Sequence, residues 1–212
     1  FTGVFTYSGI TWTTDDETPV ALSYGIKFGI VGAQGIVNCN DKTATGYKAT
    51  YEHDGIEWST TGNCSGTHGV GCGGGTQNTG IIASGYDDVG GNASDVTELY
   101  NGETWSTGNN MVSGSSYSTG GGTIQTAQLI TGGSEYNPTV HDLTATQTYN
   151  GTIWQDEGVP SNGQGVGYSG ESAGGGLDAF LCASGVKDDS ETTECQLFDQ
   201  SQSTWTSKAP VG

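Results

Sequence analysis

Across 212 residues the chain carries 38 Gly, only 4 Pro and a hydrophobic fraction of 32 %. The 5 Trp, 10 Tyr and 5 Phe run through its whole length, which excludes a disordered tail, because such segments lack the aromatics needed to bury apolar area. Five Lys, no Arg and 23 acidic residues leave a net charge of −18, which repels nucleic acid and anionic membrane surfaces and removes the bidentate guanidinium clamp for phosphates and carboxylates.

The predicted elements repeat in chain order. A short hairpin, Tyr7-Ser-Gly-Ile-Thr-Trp12, opens the chain. A diluted glycine cluster follows at residues 32–38, then a second hairpin, Tyr51-Glu-His-Asp-Gly-Ile-Glu-Trp58. The next unit runs from the glycines of residues 73–85 to Tyr100-Asn-Gly-Glu-Thr-Trp105. The third runs from residues 120–133 to Tyr149-Asn-Gly-Thr-Ile-Trp154, and the fourth from residues 174–185 to Phe198-Asp-Gln-Ser-Gln-Ser-Thr-Trp205. Asn-Gly between two β-prone runs predicts a tight hairpin with positive φ at both central residues. A short apolar run bounded by Gly predicts a buried inner strand whose glycines tolerate crowding near an axis. Acidic loops are expected at residues 134–142 and 186–193.

Trp12, Trp58, Trp105, Trp154 and Trp205 are 46 to 51 residues apart, so each occupies the same packing site in its unit. Four strands per unit with no helical period predict an all-β, propeller-type array whose blades stack on one another. The units divide as 1–12 (an outer hairpin), 13–58, 59–105, 106–154, 155–205 and a tail of 206–212, all one domain. The first hairpin is half a blade. Three arrangements account for it: a four-bladed ring with an extra hairpin, a fragment of a larger ring, or strands borrowed from another copy. The chain begins at Phe1 without Met, which predicts a processed product or part of something longer.

The Gly-Gly doublets, the following Tyr and the Trp six residues on resemble the kelch motif. Tyr100–Trp105 and Tyr149–Trp154, together with the glycine strands of residues 73–85 and 120–133, are similar to the kelch-like arrays of tailed-phage and environmental virion proteins. The segment from His53 to Trp58 is also similar to the Asp-box turn of sialidases, with Asp54 one residue closer to the Trp. These resemblances imply a non-catalytic structural or adhesive protein on a virion or extracellular appendage, whose partners are other copies of itself or a scaffold. The alternative they imply is a secreted carbohydrate-binding, galactose-oxidase-like or sialidase-like propeller, with glycans as ligands.

Residues that could carry chemistry are sparse. His53, His68 and His141 lie in separate units, and no nucleophile elbow, zinc-protease helix or phosphate loop is present. No cofactor is expected. Ca²⁺ is the metal reading for the acidic tips Asp87, Asp88, Asp188 and Asp189, although no run has EF-hand spacing. Cys64, His68 and Cys72 leave three readings open: a metal site, a Cys64–Cys72 disulfide, or thiols. Cys182 and Cys195 fall on adjacent predicted strands and are expected to be bridged, which leaves Cys39 over. Sequons at Asn63, Asn92 and Asn150 offer glycosylation positions. No stretch of 18 apolar residues occurs, so no helix is expected to cross a membrane.

Overall fold

The computed structural model describes all residues except 1–3, 8–9, 16, 20–25, 32–33, 39–47, 87–91, 137–139, 159–171, 188–189 and 211–212. The expected all-β class is observed. The chain opens with a two-stranded hairpin, β1 (Val4–Tyr7) and β2 (Trp12–Asp15), which pair antiparallel with each other. Four antiparallel four-stranded sheets follow in sequence order. The first is β3 (Ile26–Val31), β4 (Gln34–Asn38), β5 (Thr50–His53) and β6 (Trp58–Thr60). The second is β7 (Cys72–Thr76), β8 (Thr79–Ala83), β9 (Thr97–Tyr100) and β10 (Trp105–Thr107). The third holds β11 (Thr119–Ile124) and β12 (Ala127–Thr131), then a side hairpin of β13 (Ser134–Tyr136) and β14 (Val140–Asp142), and closes with β15 (Thr146–Tyr149) and β16 (Trp154–Glu157). The fourth is β17 (Ser172–Gly174), β18 (Phe180–Lys187), β19 (Ser190–Asp199) and β20 (Thr204–Lys208). Each last strand begins at or beside its Trp, so the unit boundaries drawn at the tryptophans fall inside the sheets.

The hairpins that end each sheet differ from the expected two-residue turn. Four residues separate Tyr100 from Trp105 and Tyr149 from Trp154, and six separate Phe198 from Trp205. In the first three sheets only the glycine of the turn takes positive φ, at Gly55, Gly102 and Gly151, and in the fourth Ser203 does. The residue before the glycine folds its side-chain oxygen back over the turn. Asn101 Oδ1 accepts from the backbone of Glu103 and Thr104 at 3.0 and 2.8 Å, and Asn150 Oδ1 does the same for Thr152 and Ile153. Asp54 repeats the pattern with Ile56 and Glu57, and these bonds hold its carboxyl below the ordinary carboxylate range. An Asx turn therefore replaces the second left-handed residue. The same spacing corrects the first unit: His53, not Tyr51, stands opposite Trp58, and their rings lie 5.0 Å apart.

Two of the acidic loops are shorter than the composition suggests. Residues 134–136 and 140–142 form the β13–β14 hairpin, and β18 and β19 stay paired as far as Lys187 and Ser190. A register shift between Ala183 and Gly185 bends that long ribbon.

The sheets are joined by a recurring latch. In the second sheet Trp105 packs on Tyr100, and its indole Nε1 donates to Thr50 Oγ1 of the first sheet at 2.9 Å. In the third, Trp154 packs on Tyr149 and donates to Thr97 of the second sheet at 2.9 Å. In the fourth, Trp205 packs on Phe198 and donates to Thr146 of the third sheet at 3.1 Å. Apolar contact fills in around each latch: Ile26 and Phe28 against Ile82 and Tyr100, Ile81 against Ile130 and Trp154, Leu129 against Phe180 and Phe198. An aromatic buries a large area while its polar tip finds a partner, so in these three sheets one residue supplies both cohesion and register.

The glycine clusters are explained by the same stacking. A Cβ on Gly73 would lie 2.6 Å from Ile26 Cγ2, and one on Gly80 would lie 2.1 Å from Phe28 Cε2. On the other face, a Cβ on Gly74 would meet the Gln128 amide oxygen at 2.0 Å. The second sheet is thus approached by side chains from both neighbours. Gly80→Ala is expected to destabilise the fold by about 2 kcal/mol through overpacking. Gly176→Ala, where nothing lies within 4 Å, should change stability by less than about 0.5 kcal/mol. Thermal melts of the two variants check the contrast.

Candidate functional site: the connections above the second and third sheets

From the outer strand of one sheet the chain returns to the inner strand of the next through a connection that crosses over the sheet. The connection of residues 61–71 carries Cys64, Ser65, Gly66 and His68. Beneath it, on β9, stands Glu98, fully buried in a strand of Thr, Leu and Tyr. Its carboxylate accepts from the Ser65 backbone at 2.7 Å, the Ser65 hydroxyl at 2.6 Å and the Gly66 backbone at 2.9 Å. His68 Nε2 lies 2.9 Å from the other carboxylate oxygen, and His68 Nδ1 lies 2.9 Å from the Ser84 carbonyl. Both ring nitrogens face oxygens, and because the Ser84 carbonyl can only accept, Nδ1 donates to it while Nε2 meets the carboxylate. Burial opposes the charge on Glu98, but His68, Ser65 and Gly66 outweigh it and bring the carboxyl down to about 2.

The third sheet uses an amide for the same task. Gln147 Oε1 accepts from the Val112 and Ser113 backbones at 2.8 and 3.3 Å, while Nε2 donates to the Ser113 carbonyl and hydroxyl. Glu98, Gln147 and Gln196 each stand two residues before the aromatic that faces the Trp. Sequence reasoning missed this position, although three long polar residues in step with the repeat were there to find it.

Around the pair the connections form their own ladder. Gly69 bridges Tyr86, Tyr86 bridges Ala93, Ser94 bridges Ser115 and Ser116 bridges Ser134. Val70, Ser84 and Tyr117 all take positive φ in this region, and Tyr117 donates its N–H to the Val70 carbonyl at 3.0 Å. Strained non-glycine residues persist where surrounding structure over-determines them. Tyr86 and Tyr117 meet edge to face with centroids 6.2 Å apart, both half-buried. Chemically this surface offers hydroxyls, amides and aromatic edges.

The remaining candidates disperse. The thiol of Cys64 donates to the Lys48 and Gly66 carbonyls, and that of Cys72 donates to the Ser118 carbonyl. With both His68 nitrogens engaged as well, the three residues converge on neither a metal nor a Cys64–Cys72 bridge. The Cys182–Cys195 bridge is also corrected. Cys182 stands opposite Gln196 and Cys195 opposite Ala183, so the one-residue offset sends the two side chains to opposite faces of the sheet. Among the described residues no group of three or more His, Cys, Asp or Glu could hold a metal. Asp87, Asp88, Asp188, Asp189 and Cys39 lie outside the described residues. Asn63, Asn92 and Asn150 are all exposed, and Asn150 also closes its turn. No described helix is long and apolar enough to cross a membrane.

No protein-family description matches this sequence, and no curated protein matches it either. Among solved structures the chain is similar to the one titled "Structure of YjhT", with a TM-score of 0.71 at 14 % identity, over 93 % of this chain and 68 % of that one. At that identity the likeness carries the fold alone. The fold is of the β-propeller type.

Proposed function

We propose that this chain is a non-catalytic, kelch-like structural or adhesive protein of a virion or an extracellular appendage, which acts through its loops and in company with other copies of itself or a scaffold. One observation carries the reading. The pair that most resembles catalytic acid–base machinery, His68 and Glu98, is sealed from solvent, and every polar atom in it holds a connection in place. A general base must reach a substrate proton, and this one reaches only the Ser65 hydroxyl, the backbone and its own partner. The strongly acidic surface supports display in a crowded assembly, where like-charged bodies stay dispersed.

A second reading draws on the half-buried Tyr86–Tyr117 pair and the serine ladder beside it: a carbohydrate held without turnover. Incubation with chromogenic sialosides and galactosides, and with galactose plus Cu²⁺, is expected to give no product above buffer. Turnover that disappears in His68→Ala would contradict the proposal. A glycan array separates adhesion to sugars from a purely structural role, and immunogold labelling of native particles tests the location.

A further inference from the structure

The Asx turns that close the second and third sheets are also arranged for a reaction. Asn101-Gly102 and Asn150-Gly151 occupy them, and both asparagines are exposed. The Oδ1 of Asn101 accepts from two backbone N–H groups at 3.0 and 2.8 Å and from the Thr104 hydroxyl at 3.4 Å. The Oδ1 of Asn150 accepts from two backbone N–H groups at 3.0 Å each. Paired N–H donors at this distance stabilise the oxyanion that forms when a nucleophile adds to a carbonyl carbon, here Cγ of the asparagine. The nucleophile is the next nitrogen along the chain, that of the following glycine, which no Cβ shields. Among the described residues the N–H groups of Gly102 and Gly151 have no acceptor, and neither asparagine Nδ2 is bonded. The first sheet differs, since Gly55 donates its N–H to His53 Nδ1 at 3.2 Å.

We propose that Asn101 and Asn150 are self-modification sites at which the folded protein deamidates, with water as the only co-reactant. The glycine nitrogen bonds to Cγ of the asparagine before it and gives up its proton. The bond from Cγ to Nδ2 breaks, and Nδ2 leaves as ammonia carrying that proton. Water then opens the cyclic imide: its hydroxyl joins one carbonyl carbon, and the nitrogen regains a proton. Cleavage of the nitrogen–Cγ bond leaves aspartate, whereas cleavage at the main-chain carbonyl carbon leaves isoaspartate. Either product carries a new negative charge at neutral pH. The two differ in what they do to the latch. Aspartate is already accommodated in the first sheet, where Asp54 Oδ1 accepts from Ile56 and Glu57 at 2.8 and 2.9 Å. Isoaspartate routes the main chain through Cβ and consumes the side chain that closes the turn. The facing aromatics of that sheet then lose their register, and with it the indole bond to Thr50 or Thr97. The reaction proceeds whether the protein is structural, adhesive or catalytic.

The intact chain is held at one mildly alkaline pH, folded in buffer or unfolded in urea, and mapped by peptide mass spectrometry over time. Asn101 and Asn150 are expected to convert with a folded-to-unfolded rate ratio at or above unity, because the turn supplies oxyanion donors that the unfolded chain lacks. Asn109 and Asn110, also exposed but followed by Asn and Met, should remain amides over the same period. Asn162-Gly163 lies outside the described residues and is scored separately. Chains labelled by an isoaspartyl methyltransferase should show fast indole N–H exchange at Trp105 or Trp154. The variants Asn101→Asp and Asn150→Asp should keep that exchange slow, as the accommodated product requires. Slower conversion in the folded protein than in urea at either site overturns the inference, as does equal conversion at Asn109 and Asn110. Fast indole exchange in the aspartate variants, or slow exchange in the labelled chains, overturns the assignment of the two products.

Discussion

Trp154→Ala is expected to lower the stability of the protein by about 4 kcal/mol, in the range found when a buried aromatic is cut back to a methyl group. For a chain of this size that corresponds to a fall of about 8–16 °C in melting temperature. Three losses combine. The indole packs at 5.2 Å on Tyr149, fills the contact with Ile81 of the preceding sheet, and satisfies Thr97 Oγ1. Trp154→Phe separates them: most of the packing remains, and the hydrogen bond is lost for about 1 kcal/mol. The control is Trp12→Ala in dilute protein. Its indole is exposed, so the change should stay within about 0.5 kcal/mol. Equal costs at positions 12 and 154 would show that the tryptophans are not latches between sheets.

Glu98→Ala is the second large effect, expected at about 3–5 kcal/mol, because it strands a buried partner and its donors together. The substitution leaves His68 facing no carboxylate and deprives the Ser65 and Gly66 N–H groups of their acceptor. Glu98→Gln should cost less, since Gln147 does the equivalent work one sheet further on. The two variants also differ from the parent in acid. The folded state draws the Glu98 carboxyl from 4.5 down to about 2, so folding favours the ionised form. That contribution is fully present above pH 4.5 and is lost as pH falls toward 2. Urea unfolding across this window should therefore show the parent losing stability more steeply than Glu98→Gln. Parallel curves would mean that the carboxylate is not what holds the connection.

The parts of the architecture that depend on repetition were legible in the sequence. Five tryptophans in step, glycines before short apolar runs and an unmatched first hairpin sufficed for the sheets, their strand number and the half unit. What escaped depended on register, which a single residue decides. His53 faces Trp58 because Asp54 closes a four-residue turn through Ile56 and Glu57, whereas six residues separate Phe198 from Trp205 in the fourth sheet; Tyr51 looked like the better aromatic. Cys182 and Cys195 lie on neighbouring strands, as the pattern implied, but one residue out of step, and a pleated sheet turns that offset into opposite faces. The buried His68–Glu98 pair joins residues thirty positions apart across a connection with no regular structure, so no local pattern announces it. Glu98 itself could have been found by aligning the units on their aromatics.

The latch is the centre of the account, and hydrogen exchange at the indole N–H groups tests it most directly. In ¹⁵N-labelled dilute protein, the indole signals of Trp105, Trp154 and Trp205 should exchange slowly, because each N–H is held by a Thr hydroxyl of the preceding sheet. Substituting Thr97 by Val should speed exchange at Trp154 and leave Trp205 unchanged. Fast exchange at all three, or a Trp154 signal indifferent to Thr97, would contradict it.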